Sequence, residues 1–222
     1  MATISSDVLS LNGSTTKSIQ EHVECVADDV LASFPNVEQL TAEERRGIIA
    51  RYTAVLEGNF IYWMTGALLS VHSEEARTKI LENLYEEVRD CHPGMLRRFA
   101  LAAHALPTDT DATAVYRNLS NVRLFIGQLS PVPVLVMMAF FEGWIQRFMA
   151  YLAEAARRQG STEMEYTDVH GVCDITHTQE LFRALEAEMA IAHDSFGPAT
   201  DLFEGVDLLQ TLIRDIAANP ES

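Results

Sequence analysis

The chain has few of the residues that build cross-linked or nucleic-acid-binding proteins. Its 222 residues include only three cysteines, Cys25, Cys91 and Cys173, and none of them form a C-x-x-C pair. An odd number of cysteines without that spacing argues against a disulfide framework and against a thiolate zinc site. Basic residues are also scarce, with 16 Lys and Arg against 32 Asp and Glu. The resulting net charge of −16 opposes binding to nucleic acid or to an anionic membrane.

Long apolar runs and export signals are lacking as well. The longest apolar run, PVPVLVMMAFF, covers residues 131–141 and is too short to cross a bilayer. The polar N-terminal stretch MATISSDVLSLNGSTTKS does not have the pattern of a signal peptide. We therefore expect a cytoplasmic protein with no membrane partner.

The apolar residues follow a helical period almost throughout, and no β-hairpin signature is present. Thr41-Ala-Glu-Glu is a good helix start, and the helix it opens is predicted to run past Leu69. A second start at Ser73-Glu-Glu opens a helix that must end or kink at Pro93. Further helices are predicted over residues 14–34, 94–106, 112–129, 131–160, 166–193 and 198–218. The pattern predicts one all-α domain over residues 1–222 with about seven or eight helices, and residues 1–14 are expected to be flexible.

The segment YTDVHGVCDITHTQEL contains a candidate metal-binding triplet, His170, Asp174 and His177. Residues spaced four and then three apart lie on one face of an α-helix. Two imidazoles and a carboxylate would therefore point at one spot, which suits a metal with mixed nitrogen and oxygen ligands.

Glu142 is a carboxylate in apolar company, within VLVMMAFFEGWIQRFM. A buried carboxylate must be paired, protonated or metal-bound, because an isolated buried charge costs several kcal/mol. The alternative is that Glu142 faces outward or pairs with Arg147 or another arginine. Glu57 has a similar setting, but with Arg51 as a possible partner it is better interpreted as structural.

A third candidate segment is ENLYEEVRDCHPGML, which contains Glu86 and, directly before Pro93, His92. The residue before a proline is pushed away from helical geometry. Glu86 and His92 are six residues apart and would lie on different faces of a straight helix, so their use at one site requires a bend.

Together, the three segments resemble the haem-oxygenase-like di-iron oxidases and oxygenases, which share a helical fold with thiamin-salvage and pyrroloquinoline-quinone-forming proteins. In that family one core helix supplies a Glu and then a His, a second supplies a lone Glu, and a third supplies H-x3-D-x2-H. This chain reads N-L-Y-Glu86…His92-Pro, then Glu142, then the triplet. The step from Glu to His is one residue shorter than is common in the family, which leaves Glu87 open as an alternative to Glu86. The resemblance covers residues 41–193.

The resemblance implies a haem-oxygenase-like bundle that holds two Fe²⁺ ions and uses O2 as a co-substrate. Three carboxylates and three imidazoles suit two redox-active irons, with Glu142 as the candidate bridge. The implied ligands are Glu86, His92, Glu142, His170, Asp174 and His177.

The resemblance also implies a small substrate, and the family oxidises, oxygenates or fragments carboxylate-bearing molecules such as amino acids and fatty acids. We favour an amino-acid-derived substrate in specialised metabolism. An arginine near the metals is needed to bind such a carboxylate, because its guanidinium can donate two parallel hydrogen bonds to the two carboxylate oxygens. The weaker candidates for substrate contact are Arg89, Arg97, Arg123, Tyr62 and Trp63. An external reductant and a homodimer are compatible with this hypothesis.

Two other classes stay open at this point. One is a metal-free enzyme of the same fold, in which a cysteine such as Cys173 or Cys91 acts with a glutamate. The other is a non-catalytic helical interaction protein, for which the candidate ligands would be scattered over the surface.

Overall fold

A computed structural model describes residues 6–191 and 201–218, with side chains from residue 15 onward. In these two ranges the chain forms nine α-helices and no β-strand. The helices are α1 (Ser6–Ala32), α2 (Ala42–Leu56), α3 (Asn59–Ser70), α4 (Glu74–Arg89), α5 (His92–Ala102), α6 (Asp109–Ile126), α7 (Pro131–Arg158), α8 (Glu165–Ile191) and α9 (Glu204–Ala217). The predicted all-α single-bundle fold is thereby confirmed.

The single helix predicted from Thr41 past Leu69 is divided into α2 and α3. Glu57 ends α2, and Gly58 follows with φ of 81°, in the left-handed region that glycine adopts without steric cost. This break adds the ninth helix. Helix α1 begins at Ser6 rather than at the predicted residue 14. The flexibility of residues 1–14 stays a prediction, and residues 1–5 lie outside the described residues, as do the predicted helix boundaries at His193 and Pro198.

Helix α7 is the centre of the bundle. Pro131 and Pro133 occupy its first turn, where a missing N–H costs nothing. By length and composition α7 could cross a membrane, but 89% of its most apolar window is buried inside the protein. Its rings of Trp144 and Phe148 stack with centroids 4.6 Å apart. α7 is therefore a core helix, and α8 and α1 pack along it.

The start of α4 is held against α8 by a buried carboxylate that the sequence did not single out. Glu188 of α8 is 1% exposed and accepts hydrogen bonds from the backbone N–H of His72 at 3.0 Å and of Ser73 at 2.8 Å. These N–H groups precede α4, where the helix dipole favours negative charge. The two helices that carry most candidate ligands are thus fixed to each other.

A second buried carboxylate, Asp111, joins α2 to α6. Asp111 accepts two hydrogen bonds of 3.1 Å from the guanidinium of Arg46 and two more from Thr108. Burial alone would raise the pKa of the Asp111 carboxyl, but these hydrogen bonds outweigh burial and lower it. Asp111 is therefore ionised throughout the neutral range.

Replacing Asp111 with alanine is expected to lower the free energy of unfolding at pH 7 by about 2 to 3 kcal/mol, because the charge of Arg46 loses its partner. A carboxyl with a lowered pKa stabilises the fold above the usual Asp pKa of about 3.9, and this contribution is lost as pH falls through the folded-state pKa. The difference from the wild type should therefore shrink below about pH 4. Urea unfolding at several pH values measures it.

The control is Asp109→Ala, on the exposed side of the same first turn of α6. The substitution removes a favourable interaction of Asp109 with the dipole of α6. Apart from that interaction, it should change the free energy of unfolding by no more than about 0.5 kcal/mol. Equal effects of the two substitutions would contradict the role of the Asp111 pair.

Candidate metal centre

The first group of possible ligands comes from three helices and is fully buried. Glu87 near the end of α4 is 4% exposed, and its Oε1 lies 2.7 Å from Nδ1 of His92 at the start of α5. Nε2 of His170 on α8 lies 4.0 Å from the same oxygen. The three residues can each offer a ligand atom within 4.8 Å of the others.

The chain makes a sharp turn between α4 and α5, and this turn brings His92 back to Glu87. α4 ends at Arg89, and Cys91 adopts φ of 56° and ψ of 46°, in the left-handed region that non-glycine residues rarely occupy. Pro93 then starts α5 in its first turn. The bend that the sequence requires at His92–Pro93 is present.

The second group lies one turn further along α8. Cys173, Asp174 and His177 can also offer ligand atoms within 4.8 Å of one another. Nδ1 of His177 lies 3.6 Å from Oδ1 of Asp174 and 3.9 Å from Oε1 of Glu142. The predicted face of α8 is therefore the buried face, and its two histidines serve two different groups.

Glu142 lies between the two groups. It is 1% exposed, accepts a hydrogen bond of 3.0 Å from Nδ2 of Asn83, and shares a small cavity with Glu87, His92 and His170. Burial, followed by the charge of Asp174, raises the pKa of Glu142 well above its usual range. Arg147, the alternative partner, instead pairs with Asp28 at 2.9 Å.

Hydrogen bonds fix the orientation of two imidazoles. Nδ1 of His170 lies 2.8 Å from the backbone carbonyl oxygen of Tyr166, to which an N–H there donates. Nε2 of His177 lies 3.0 Å from Oε2 of Glu86, which can accept in the same way. A neutral imidazole that donates from one nitrogen keeps a lone pair on the other. Nε2 of His170 and Nδ1 of His177 are then the nitrogens free to bind a metal.

Neighbouring carboxylates raise the pKa of two histidines at the centre. Burial alone would lower the pKa of His177, but Asp174, Glu142 and Glu86 around it raise that pKa to about 10. Burial also opposes the charged form of His92, and Glu87 outweighs it and raises the pKa.

Two polar atoms at the centre also lack a hydrogen-bond partner among the described residues, Oδ2 of Asp174 and Nδ1 of His177. Buried polar atoms without a hydrogen-bond partner are unfavourable, and a bound cation would satisfy both of these atoms. The available ligand atoms are carboxylate oxygens and imidazole nitrogens, which bind first-row metals such as iron.

The structure separates the two neighbouring glutamates that the sequence left open. Glu87 points into the first group, whereas the side chain of Glu86 is 45% exposed and reaches only the outer nitrogen of His177. Five of the six predicted ligands, His92, Glu142, His170, Asp174 and His177, are buried together. Glu86 lies at their edge, and Glu87 occupies the buried position.

Two cavities adjoin the centre. One, of about 20 Å³, has room for roughly one water molecule and is walled by the apolar side chains Leu56, Phe60, Leu96 and Ile145. The other, of about 530 Å³, opens beside His177 between α4 and α8. Only the second is large enough for a small organic molecule.

Of the five predicted substrate contacts, Arg89 alone lines one of these two cavities, the larger one, although its guanidinium also pairs with Asp90. Arg123 donates to Asn59, Tyr62 is exposed, and Trp63 is buried against Phe141.

Arg97 of α5 pairs with Glu57 at 2.7 Å. The predicted pairing of Glu57 with Arg51 is therefore wrong. Arg51 and Glu57 are six positions apart and project from different faces of α2.

The cysteines do not favour a thiolate nucleophile. Burial and the neighbouring Asp174 raise the pKa of Cys173, so its thiol stays protonated. Cys91 is exposed at the turn and lies on the surface. Because the candidate ligands are gathered rather than scattered, the structure also does not support a purely non-catalytic interaction protein.

Sequence comparison gives the same result as the geometry. Residues 21–199, well over half of the chain, match the haem-oxygenase-like family model described as an iron-containing redox enzyme. Searches of curated proteins and of solved structures found no match. The family match confirms the predicted resemblance and supports an oxidoreductase that contains iron. On the strength of this match, the chain belongs to the family of iron-containing redox enzymes.

Proposed function

We propose that this protein is a non-haem di-iron enzyme that uses O2 to oxidise, oxygenate or fragment a small carboxylate-bearing substrate derived from an amino acid. The observation that carries the proposal is the pair of ligand groups on either side of Glu142. Each contains buried nitrogen and oxygen ligand atoms, and Oδ2 of Asp174 and Nδ1 of His177 have no hydrogen-bond partner among the described residues.

In this proposal Glu87, His92 and His170 hold one iron, Asp174 and His177 hold the second, and Glu142 serves both. Bound ferrous iron would supply electrons to O2, which is otherwise slow to react with organic molecules. Glu86 would act as a positioning residue, because its carboxylate can accept a hydrogen bond from the Nε2–H of His177.

Neighbouring backbone and side-chain groups orient the proposed ligands before any substrate binds. The Tyr166 carbonyl holds the Nδ1 proton of His170, and Asn83 orients the carboxylate of Glu142. The apolar walls of the small cavity keep bulk water from the buried donors, so that charges act there in a low-dielectric setting. These groups reduce the reorganisation that the reaction needs.

The larger cavity is the proposed entrance for the substrate. Arg89 on its wall can bind a carboxylate if its side chain turns from Asp90. The acidic side chains of the same wall, Glu82, Glu86 and Glu180, suit an amino group. A zwitterionic amino-acid derivative fits both. An external reductant would supply the electrons for O2 reduction that the substrate does not itself provide. We keep a cytoplasmic location and a homodimer as proposals.

The proposal predicts that the protein purified without oxygen binds two Fe²⁺ per chain, and that air then triggers O2 consumption. Anaerobic titration with ferrous iron measures the stoichiometry, and an oxygen electrode measures the consumption. Mass spectrometry of products, with amino acids and fatty acids offered in parallel, identifies the substrate class. Binding of no iron would refute the metal centre, and binding of a single iron would refute the di-iron assignment.

A further inference from the structure

A cavity of about 620 Å³ lies away from the metal centre, on the other side of α2. It is formed by the start of α2, the start of α6 and the end of α9. Its charged lining residues are Glu43, Glu44, Arg46, Arg51 and Asp111. It is large enough for a small metabolite, and the proposed function does not use it.

Arg51 is the unusual member of this lining. It is only 3% exposed, and its one hydrogen bond within the described part of the chain runs from Nε to the carbonyl oxygen of Ile216 at 3.0 Å. Nη1 lies 3.9 Å from Oδ1 of Asp111, which is beyond hydrogen-bond length. Burial lowers the pKa of Arg51 from its usual value. Among the described residues, the two terminal nitrogens, which carry four N–H donors, have no hydrogen-bond acceptor, and Arg51 lines the cavity.

The acidic residues of the lining are already engaged. Asp111 accepts from Arg46 and Thr108, Glu44 accepts from the backbone N–H and hydroxyl of Thr41, and Glu43 pairs with Arg46. The group in the cavity with unused hydrogen-bonding capacity is therefore a cation. A buried guanidinium with free donors is best satisfied by two oxygens of one anion.

The backbone beside Arg51 also fits this role. A Cβ at Gly47 would come within 2.7 Å of Nη1, so glycine leaves the guanidinium its position. The N-termini of α2 and α6, capped by Thr41 and Thr108, border the same cavity, but the acidic residues of their first turns offset the positive potential of the helix dipoles. The buried arginine is therefore the determinant.

We propose that this cavity binds a small oxyanion, the carboxylate or phosphate group of a metabolite, through the terminal nitrogens of Arg51. The carboxylate and the phosphate share the paired oxygens that the guanidinium fork recognises. This site is separate from the iron ligands and does not depend on the proposed reaction.

Calorimetric titration of the full chain with succinate and with inorganic phosphate, each at constant ionic strength, tests the proposal. The wild type should bind one of the two, at one ion per chain. Arg51→Met should weaken that binding roughly tenfold or more, because charge-assisted hydrogen bonds are lost. Gly47→Ala should weaken it as well by displacing the guanidinium, while the new alanine favours the helix. Which ion binds distinguishes a carboxylate site from a phosphate site.

Arg117→Met is the matched control, because Arg117 is exposed on α6 and does not line the cavity. It should bind the anion like the wild type. If neither ion binds the wild type, or if Arg51→Met binds as tightly as the wild type, the proposal is overturned. Should Arg51→Met fail to fold, Gly47→Ala decides, and wild-type affinity in that variant also overturns the proposal.

Discussion

Glu142→Gln is expected to lose iron binding and to make the metal-free protein more stable. Glutamine keeps the shape of Glu142 and can still accept the hydrogen bond of Asn83, but it cannot supply a negative ligand to either iron. Iron affinity should fall by about 100-fold or more, and O2 consumption with it. Without metal, the wild type must protonate Glu142 to bury it close to Asp174, and glutamine avoids that cost, so the free energy of unfolding at pH 7 should rise by about 1 to 2 kcal/mol.

The opposite signs of these two effects make the experiment informative. Iron titration and urea unfolding in a chelator measure them on the same samples. Glu154→Gln is the matched control, since it makes the same change on the solvent side of the same helix, and it should leave iron binding within experimental error. A Glu142→Gln protein that binds two irons with wild-type affinity would remove Glu142 from the centre.

The second large effect separates the two adjacent glutamates. Glu87→Gln should lower iron affinity by about 100-fold or more, because the buried carboxylate beside His92 and His170 would be lost. Glu86→Gln should lower it by only about tenfold, because Glu86 acts through the outer nitrogen of His177. Anaerobic titration should give fewer than two tightly bound irons in the first variant and two in the second.

Glu82→Gln serves as the control for this pair, because Glu82 is exposed on α4 and pairs with Lys79. The reverse order, with near-normal iron in Glu87→Gln and a missing iron in Glu86→Gln, would show that Glu86 is the ligand.

The parts of the site that lie on one helix were predictable from sequence. His170, Asp174 and His177 share a face because the helical repeat alone determines it. Glu142 was predictable because an ionisable residue inside a long apolar helix is costly unless something compensates it. The all-α class followed from the same periodicity.

Features that depend on tertiary packing were not predictable. Glu86 and Glu87 are adjacent in sequence, and only the docking of α4 on α8 decides which of them is buried. The buried position of Glu188 and the unsatisfied donors of Arg51 likewise arise from helices far apart in the chain. Gly58 is a partial exception, because a glycine within a long helical pattern is a recognisable break signal.

The left-handed turn at Cys91 has a consequence for how such sites are recognised in other sequences. Glu87 and His92, two candidate ligands, are joined by a change of chain direction rather than by a helical repeat. At such a joint the number of intervening residues is a property of the turn, and a longer loop can return the histidine to the same place. A search pattern should therefore keep strict spacing within α8 and allow variable length between the glutamate and the His-Pro pair.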